Sequence, residues 1–145
     1  MDQFDGLELS ARKAEYLKYI FEHGKSVKTT DISSRFNVDP STVTKTIGEL
    51  SKMGLIEHVP YRGVGLTPEG HEYAGFLIKR HRILGLVLTH YGIPADEACR
   101  EALRFESLVS KSVIDTICQS MGHPTVGVCG RITHNKDCNY PEAGE

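Results

Sequence analysis

Between Asn37 and Leu66 the chain changes its hydrophobic period, and that change limits its fold more than any other feature. Asn37-Val38-Asp39 has turn chemistry, and Pro40 stands where a helix tolerates proline best, at its first position. Val43, Ile47, Leu50 and Met53 then recur at steps of three and four. This predicts a helix from about Pro40 to Met53 with one buried face, stopped by Gly54. Leu55-Ile56-Glu57-His58-Val59 switches to alternation, a strand signal. Pro60-Tyr61-Arg62-Gly63 is a turn, and Val64-Gly65-Leu66 returns as a second short strand.

Two shorter helices are expected ahead of that unit. Tyr16, Leu17, Ile20 and Phe21 make a stripe within a helix from Leu9 to His23, ended by Gly24. Thr29 or Thr30 can cap the second, with Ile32 and Phe36 turned inward. Three short helices and a hairpin, in that order, describe a winged helix-turn-helix. Its third helix enters the DNA major groove and its hairpin touches the backbone. Ser41, Thr42, Thr44 and Thr46 place hydroxyls around Lys45 at the start of the third helix, chemistry suited to phosphates and base edges. Unpaired backbone N–H groups at that helix start favour a phosphate as well. Lys28, and Arg62 at the hairpin tip, are further candidate contacts. The competing reading is a well-capped helix in a winged-helix protein-interaction module that never touches DNA.

Beyond the hairpin the chain is expected to be helical. Thr67-Pro68-Glu69 is a helix start, and Tyr73, Leu77, His81, Leu84 and Leu88 carry a long helix to about Tyr91. Gly92-Ile93-Pro94 breaks it. Another helix should run from about Pro94 to Leu108, and Ser110 can cap one more that reaches Met121. The expected fold is therefore mainly α with a small β-hairpin. A winged helix-turn-helix occupies residues 1–70, a helical domain 71–122, and a Cys/His-containing tail 123–145.

Net charge is −2, so any DNA-binding face must be local. No apolar run approaches the roughly 18–20 residues that span a bilayer. The acidic start, MDQFDGLELS, is no secretory signal, so the cytoplasm is expected. No nucleophile–base pair or phosphate loop suggests an enzyme. In a reducing compartment four cysteines read as thiols, metal ligands or redox sensors. Cys118, His123, Cys129, His134 and Cys138 offer soft donors suited to Zn(II), Fe(II) or an iron–sulfur cluster. The alternative is a tail with incidental thiols.

The run DISSRFNVDPSTVTKTIGELSKMGLIEHVPYRGVGLTPEGHEYA, with KRHRIL and EACREALRFESLVS after it, resembles the diphtheria toxin repressor / manganese transport regulator family. The similarity covers about Glu15 to Pro124. It implies a transcriptional repressor that takes Fe(II) or Mn(II) as corepressor and grips palindromic operator DNA as a homodimer, with residues 71–122 as its helical dimerisation and metal-binding domain. By the same resemblance His81 and Glu106 match metal ligands, Glu15 falls where the family has Asp or Met, and Cys99 falls where its iron branch has an ancillary-site His. The chain departs from the pattern at Leu103, Ser107 and Gly85, where the family has ligands. Cys99 and Glu106 would lie about 10 Å apart along one helix, too far for both to bind one ion. The thiol donors favour Fe(II) over Mn(II), which prefers oxygen. Two function readings stand: an iron-responsive repressor, and a thiol or iron–sulfur redox-responsive regulator of the same fold.

Overall fold

The computed structural model describes residues 4–134, so Cys138 lies outside the described residues. Two compact units emerge: Arg12–Gly75, and the chain before Arg12 together with the chain from Phe76 onward.

In the first unit α1 spans Ala11–His23, α2 Thr29–Phe36 and α3 Pro40–Lys52. Tyr16, Leu17 and Ile20 of α1 are buried, as are Ile32 of α2 and Val43, Ile47 and Leu50 of α3. Each fully buried aliphatic side chain contributes roughly 1.5–3 kcal/mol, so these stripes fix the three helices against one another. Asn37 turns the chain between α2 and α3 in a left-handed conformation (φ 53°) that asparagine tolerates. α2 is not capped by Thr29 or Thr30. Its cap position is Lys28, whose N–H donates to the Asp31 carboxylate at 3.2 Å, an N-terminal lock that needs no hydroxyl.

β1 (Ile56–Val59) and β2 (Gly63–Leu66) pair antiparallel, Ile56 opposite Leu66 and Val59 opposite Gly63. Val27 adds a bridge to Val64, tying the α1–α2 connection to the hairpin. α4 (Pro68–His90) starts as its sequence signals: the Thr67 hydroxyl accepts from the Gly70 N–H at 3.0 Å and donates to the Gly54 carbonyl at 2.6 Å. α4 runs unbroken from the first unit into the second.

The second unit adds α5 (Ala95–Phe105), a 3₁₀ turn (Glu106–Leu108) and α6 (Lys111–Ser120). The expected helix to Leu108 thus ends early, because its last turn tightens where Glu106 is buried against α4. Leu77, Ile83, Ala98, Ala102 and Ile114 form the apolar core. Arg80, also buried, donates to the carbonyls of Gly6 and Val109. Lys79 and Lys111 both pair with Asp115, at 3.1 and 2.8 Å. Within residues 123–134, Val126 bridges Arg131, and Ile132 is buried. Among the described residues no helix is long and apolar enough to cross a membrane.

α3, α4 and α6 share one C-terminal motif. A glycine (Gly54, Gly92, Gly122) returns its N–H to the second-last residue, and the next residue returns its own to the one before that. The pairs so formed are Leu55 to Leu50, Ile93 to Leu88 and His123 to Cys118.

Candidate metal centres and nucleic-acid surface

His81 on α4, Cys99 on α5 and Cys129 beyond α6 bring their ligating atoms within 4.8 Å of one another. Cys129 is carried by the turn between Val126 and Arg131, closed by a 2.7 Å bond from the Gly127 N–H to the Gly130 carbonyl. Arg82, next to His81 on α4, donates to the Arg131 carbonyl and holds that turn against the helix. Gly85 leaves room for it: a Cβ there would lie 3.7 Å from Val128 Cγ2. A longer side chain at position 85 would therefore compete with the turn that delivers Cys129.

The His81 ring meets a further group. Glu106, 6% exposed, sets its Oε2 2.7 Å from His81 Nδ1. That leaves Nε2 for a metal, with the carboxylate orienting the ring. Burial, and then the neighbouring Cys129 thiol, push the Cys99 thiol above its usual pKa. Two sulfurs and an imidazole suit Fe(II) or Zn(II) at bond lengths of about 2.0–2.3 Å, and the observed spacing needs only slight closure to supply them. The residues fit a divalent transition metal.

A second group lies on α6 and the segment after it. Cys118 is fully buried, its Sγ 3.4 Å from His134 Nδ1 and 3.6 Å from His123 Nδ1. His134 Nε2 stands 3.0 Å from the Pro124 carbonyl oxygen. Burial lowers the His134 pKa, opposed by that hydrogen bond. The tail residues that spacing alone would pool are thus divided, Cys129 going to one group and Cys118, His123 and His134 to the other. Glu15 is half-buried on α1; both groups are drawn wholly from the second unit.

On α3, Ser41, Thr42, Thr44 and Lys45 are exposed and Thr46 is half-buried; Lys28 and Arg62 are exposed as well. Arg62 follows Tyr61, which tops the hairpin turn in a left-handed conformation (φ 64°). The hydroxyl reading needs correction in detail. Thr44 and Thr46 donate back to the carbonyls of Pro40 and Thr42, each at 3.0 Å, and Ser41 donates to Asp39. These three hydroxyls therefore spend their protons within the chain and have only acceptor lone pairs to offer, which suit base amino groups. The expected phosphate at the start of α3 is also corrected. The Asp39 carboxylate caps the Ser41 N–H there, and its charge repels an anion. Asp39 is the one residue of this surface that the sequence reading passed over, although an Asp directly before Pro at a helix start is a cap signal.

A winged reading head followed by a helical unit holding thiol and imidazole donors is the layout of a metal-responsive transcription regulator. Residues 8–64 match the "Iron dependent repressor, N-terminal DNA binding domain", and residues 67–132 match its "metal binding and dimerisation domain". The chain belongs to this family of metal-dependent repressors, the diphtheria toxin repressor / manganese transport regulator family, whose members are not enzymes. The transcriptional regulator MntR of Escherichia coli O6:H1 is 33% identical over 108 residues, covering 74% of this chain and 70% of that protein. A hypothetical protein of Sulfolobus solfataricus superposes with a TM-score of 0.72 at 26% identity, covering 86% of this chain and 96% of that one. A manganese-dependent transcriptional repressor in complex with manganese superposes at 0.67 and 27% identity, and this chain spans 63% of its length.

Proposed function

We propose that this regulator is iron-responsive, acts in the cytoplasm, and binds palindromic operator DNA as a homodimer through α3 and the hairpin. The observation that carries the metal reading is the meeting of Cys129 with His81 and Cys99. Family resemblance leads one to expect a carboxylate at position 85, a cysteine or glutamate at 103 and a histidine at 107, where this chain has Gly85, Leu103 and Ser107. The tail supplies a thiolate instead, and its turn packs where the position-85 side chain would stand. Two thiolates tilt the site from Mn(II) toward Fe(II). His81, Cys99 and Cys129 would hold the ion, and Glu106 would orient His81. A bound divalent ion supplies a crosslink between α4, α5 and the tail. The chain's own part is to position the donors and to carry the resulting order along α4, which continues into the unit bearing α3.

Lys45, Lys28 and Arg62 are assigned to phosphates, and Ser41, Thr42, Thr44 and Thr46 to the groove floor. Anaerobic titration with Fe(II) and Mn(II) tests the metal assignment. Fe(II) should bind with a thiolate charge-transfer absorption that Cys129→Ser weakens. Equal affinity for the two ions, or a spectrum untouched by Cys129→Ser, overturns it.

A redox reading has one observation in its favour, the Cys99 and Cys129 sulfurs lying within 4.8 Å of each other. On that reading thiol oxidation alone would release DNA from protein carrying no iron. An iron–sulfur cluster commonly uses four cysteines, and the described cysteines divide between the two groups and so do not converge.

A further inference from the structure

We propose that Cys118, His123 and His134 form a second metal site, distinct from the His81 group, which takes Zn(II) in a structural role.

The backbone builds the first half of this site. The same C-terminal motif closes α3, α4 and α6, and in the first two it pairs leucine with an apolar residue: Leu50 with Leu55, Leu88 with Ile93. That apolar pairing is the usual companion of the motif. In α6 the same two positions hold Cys118 and His123, which are a thiol and an imidazole 3.6 Å apart. His123 also adopts φ 54°, a left-handed conformation outside the glycine position of the motif. Histidine, like asparagine, is among the non-glycine residues enriched in that conformation, so the turn accommodates it.

The second half is set by a hydrogen bond. A carbonyl oxygen can only accept, so the 3.0 Å contact between His134 Nε2 and the Pro124 carbonyl places the proton on Nε2. Nδ1 is then left with its lone pair directed toward Cys118 Sγ, 3.4 Å away. Metal-ligating histidines are held in this way, one nitrogen on the ion and the other donating to a carbonyl or carboxylate. His81 shows the same arrangement, with Glu106 in place of the carbonyl.

The donor set decides the ion. One thiolate and two imidazoles, half-buried or buried and without a carboxylate among the three, match Zn(II). An ion there crosslinks the end of α6 to His134 across the segment that carries Cys129. Its role is to hold that segment in place.

The test uses the full chain with the first group disabled, Cys99→Ser with Cys129→Ser, so that failure of the iron reading leaves the result intact. Co(II) serves as the spectroscopic probe and Zn(II) as its competitor. The double variant should bind one Co(II) per chain with thiolate-to-cobalt charge-transfer absorption, which Zn(II) abolishes. Cys118→Ser should remove that absorption, and His134→Gln should weaken Zn(II) binding at least about tenfold. His123→Asn should do the same while keeping the left-handed turn, because asparagine tolerates that conformation. Absence of a thiolate band in the double variant overturns the proposal. So does a band and affinity indifferent to His123→Asn, a variant expected to stay folded by circular dichroism.

Discussion

At His81 one imidazole faces both a buried carboxylate and a pair of thiols. The two contacts make separate predictions. Glu106→Gln keeps the size of the side chain but removes its charge, and should lower metal affinity about 10- to 100-fold in anaerobic competition titrations, with helical content unchanged. Unaltered affinity would remove Glu106 from the site's support. At this scale the sequence was legible in part. His81, Cys99 and Glu106 were picked out through the family resemblance, which gave Glu106 as a metal ligand, whereas its carboxylate contacts the His81 ring and lies outside the His81–Cys99–Cys129 group. The partner of Cys129 could not be picked out, since it depends on Arg82 and on the space beside Gly85, contacts from residues more than forty positions away in the chain. Spacing along the tail pooled Cys129 with Cys118 and His134, and three-dimensional packing separates them.

Among the elements, α3 and the hairpin are the proposed output surface, and α4 continues from their unit into the second. Lys45 is exposed on α3, so Lys45→Ala should weaken binding to all duplexes alike. The dependence of log affinity on log salt should fall by about one phosphate contact. A loss confined to one sequence would reassign Lys45 to base reading. The α4 start is held by close approach of backbone: a Cβ on Gly70 would stand 2.0 Å from the Leu55 carbonyl oxygen. Gly70→Ala should therefore destabilise the first unit by about 3 kcal/mol in urea unfolding, as overpacking does at its upper range. These elements were legible because period and helix-start residues agree: Pro40 and Thr67-Pro68 both open helices where the apolar stripe begins. The 3₁₀ turn at Glu106 was not legible. Ala102, Phe105 and Leu108 continue a helical pattern there, and only the burial of Glu106 against His81 explains the tighter turn.

Over the whole molecule, the family's dimerisation domain covers residues 67–132, and Leu103, Leu108 and Val113 of that stretch are exposed. Apolar side chains left outside in this way suit a self-complementary dimer face. Leu108→Glu should shift the sedimentation profile from dimer toward monomer, and a profile that stays dimeric would move the interface elsewhere. The central claim is that metal at His81, Cys99 and Cys129 controls the grip on DNA. The direct measurement is anaerobic binding to a duplex selected from a random pool by the Fe(II)-loaded protein, compared with and without Fe(II), for the natural chain and for Cys129→Ser. Fe(II) should tighten binding by the natural chain at least about tenfold, the coupling range of allosteric regulators. Cys129→Ser should keep the metal-free affinity and lose that gain. Equal affinity with and without Fe(II), or a full Fe(II) response in Cys129→Ser, would contradict the account.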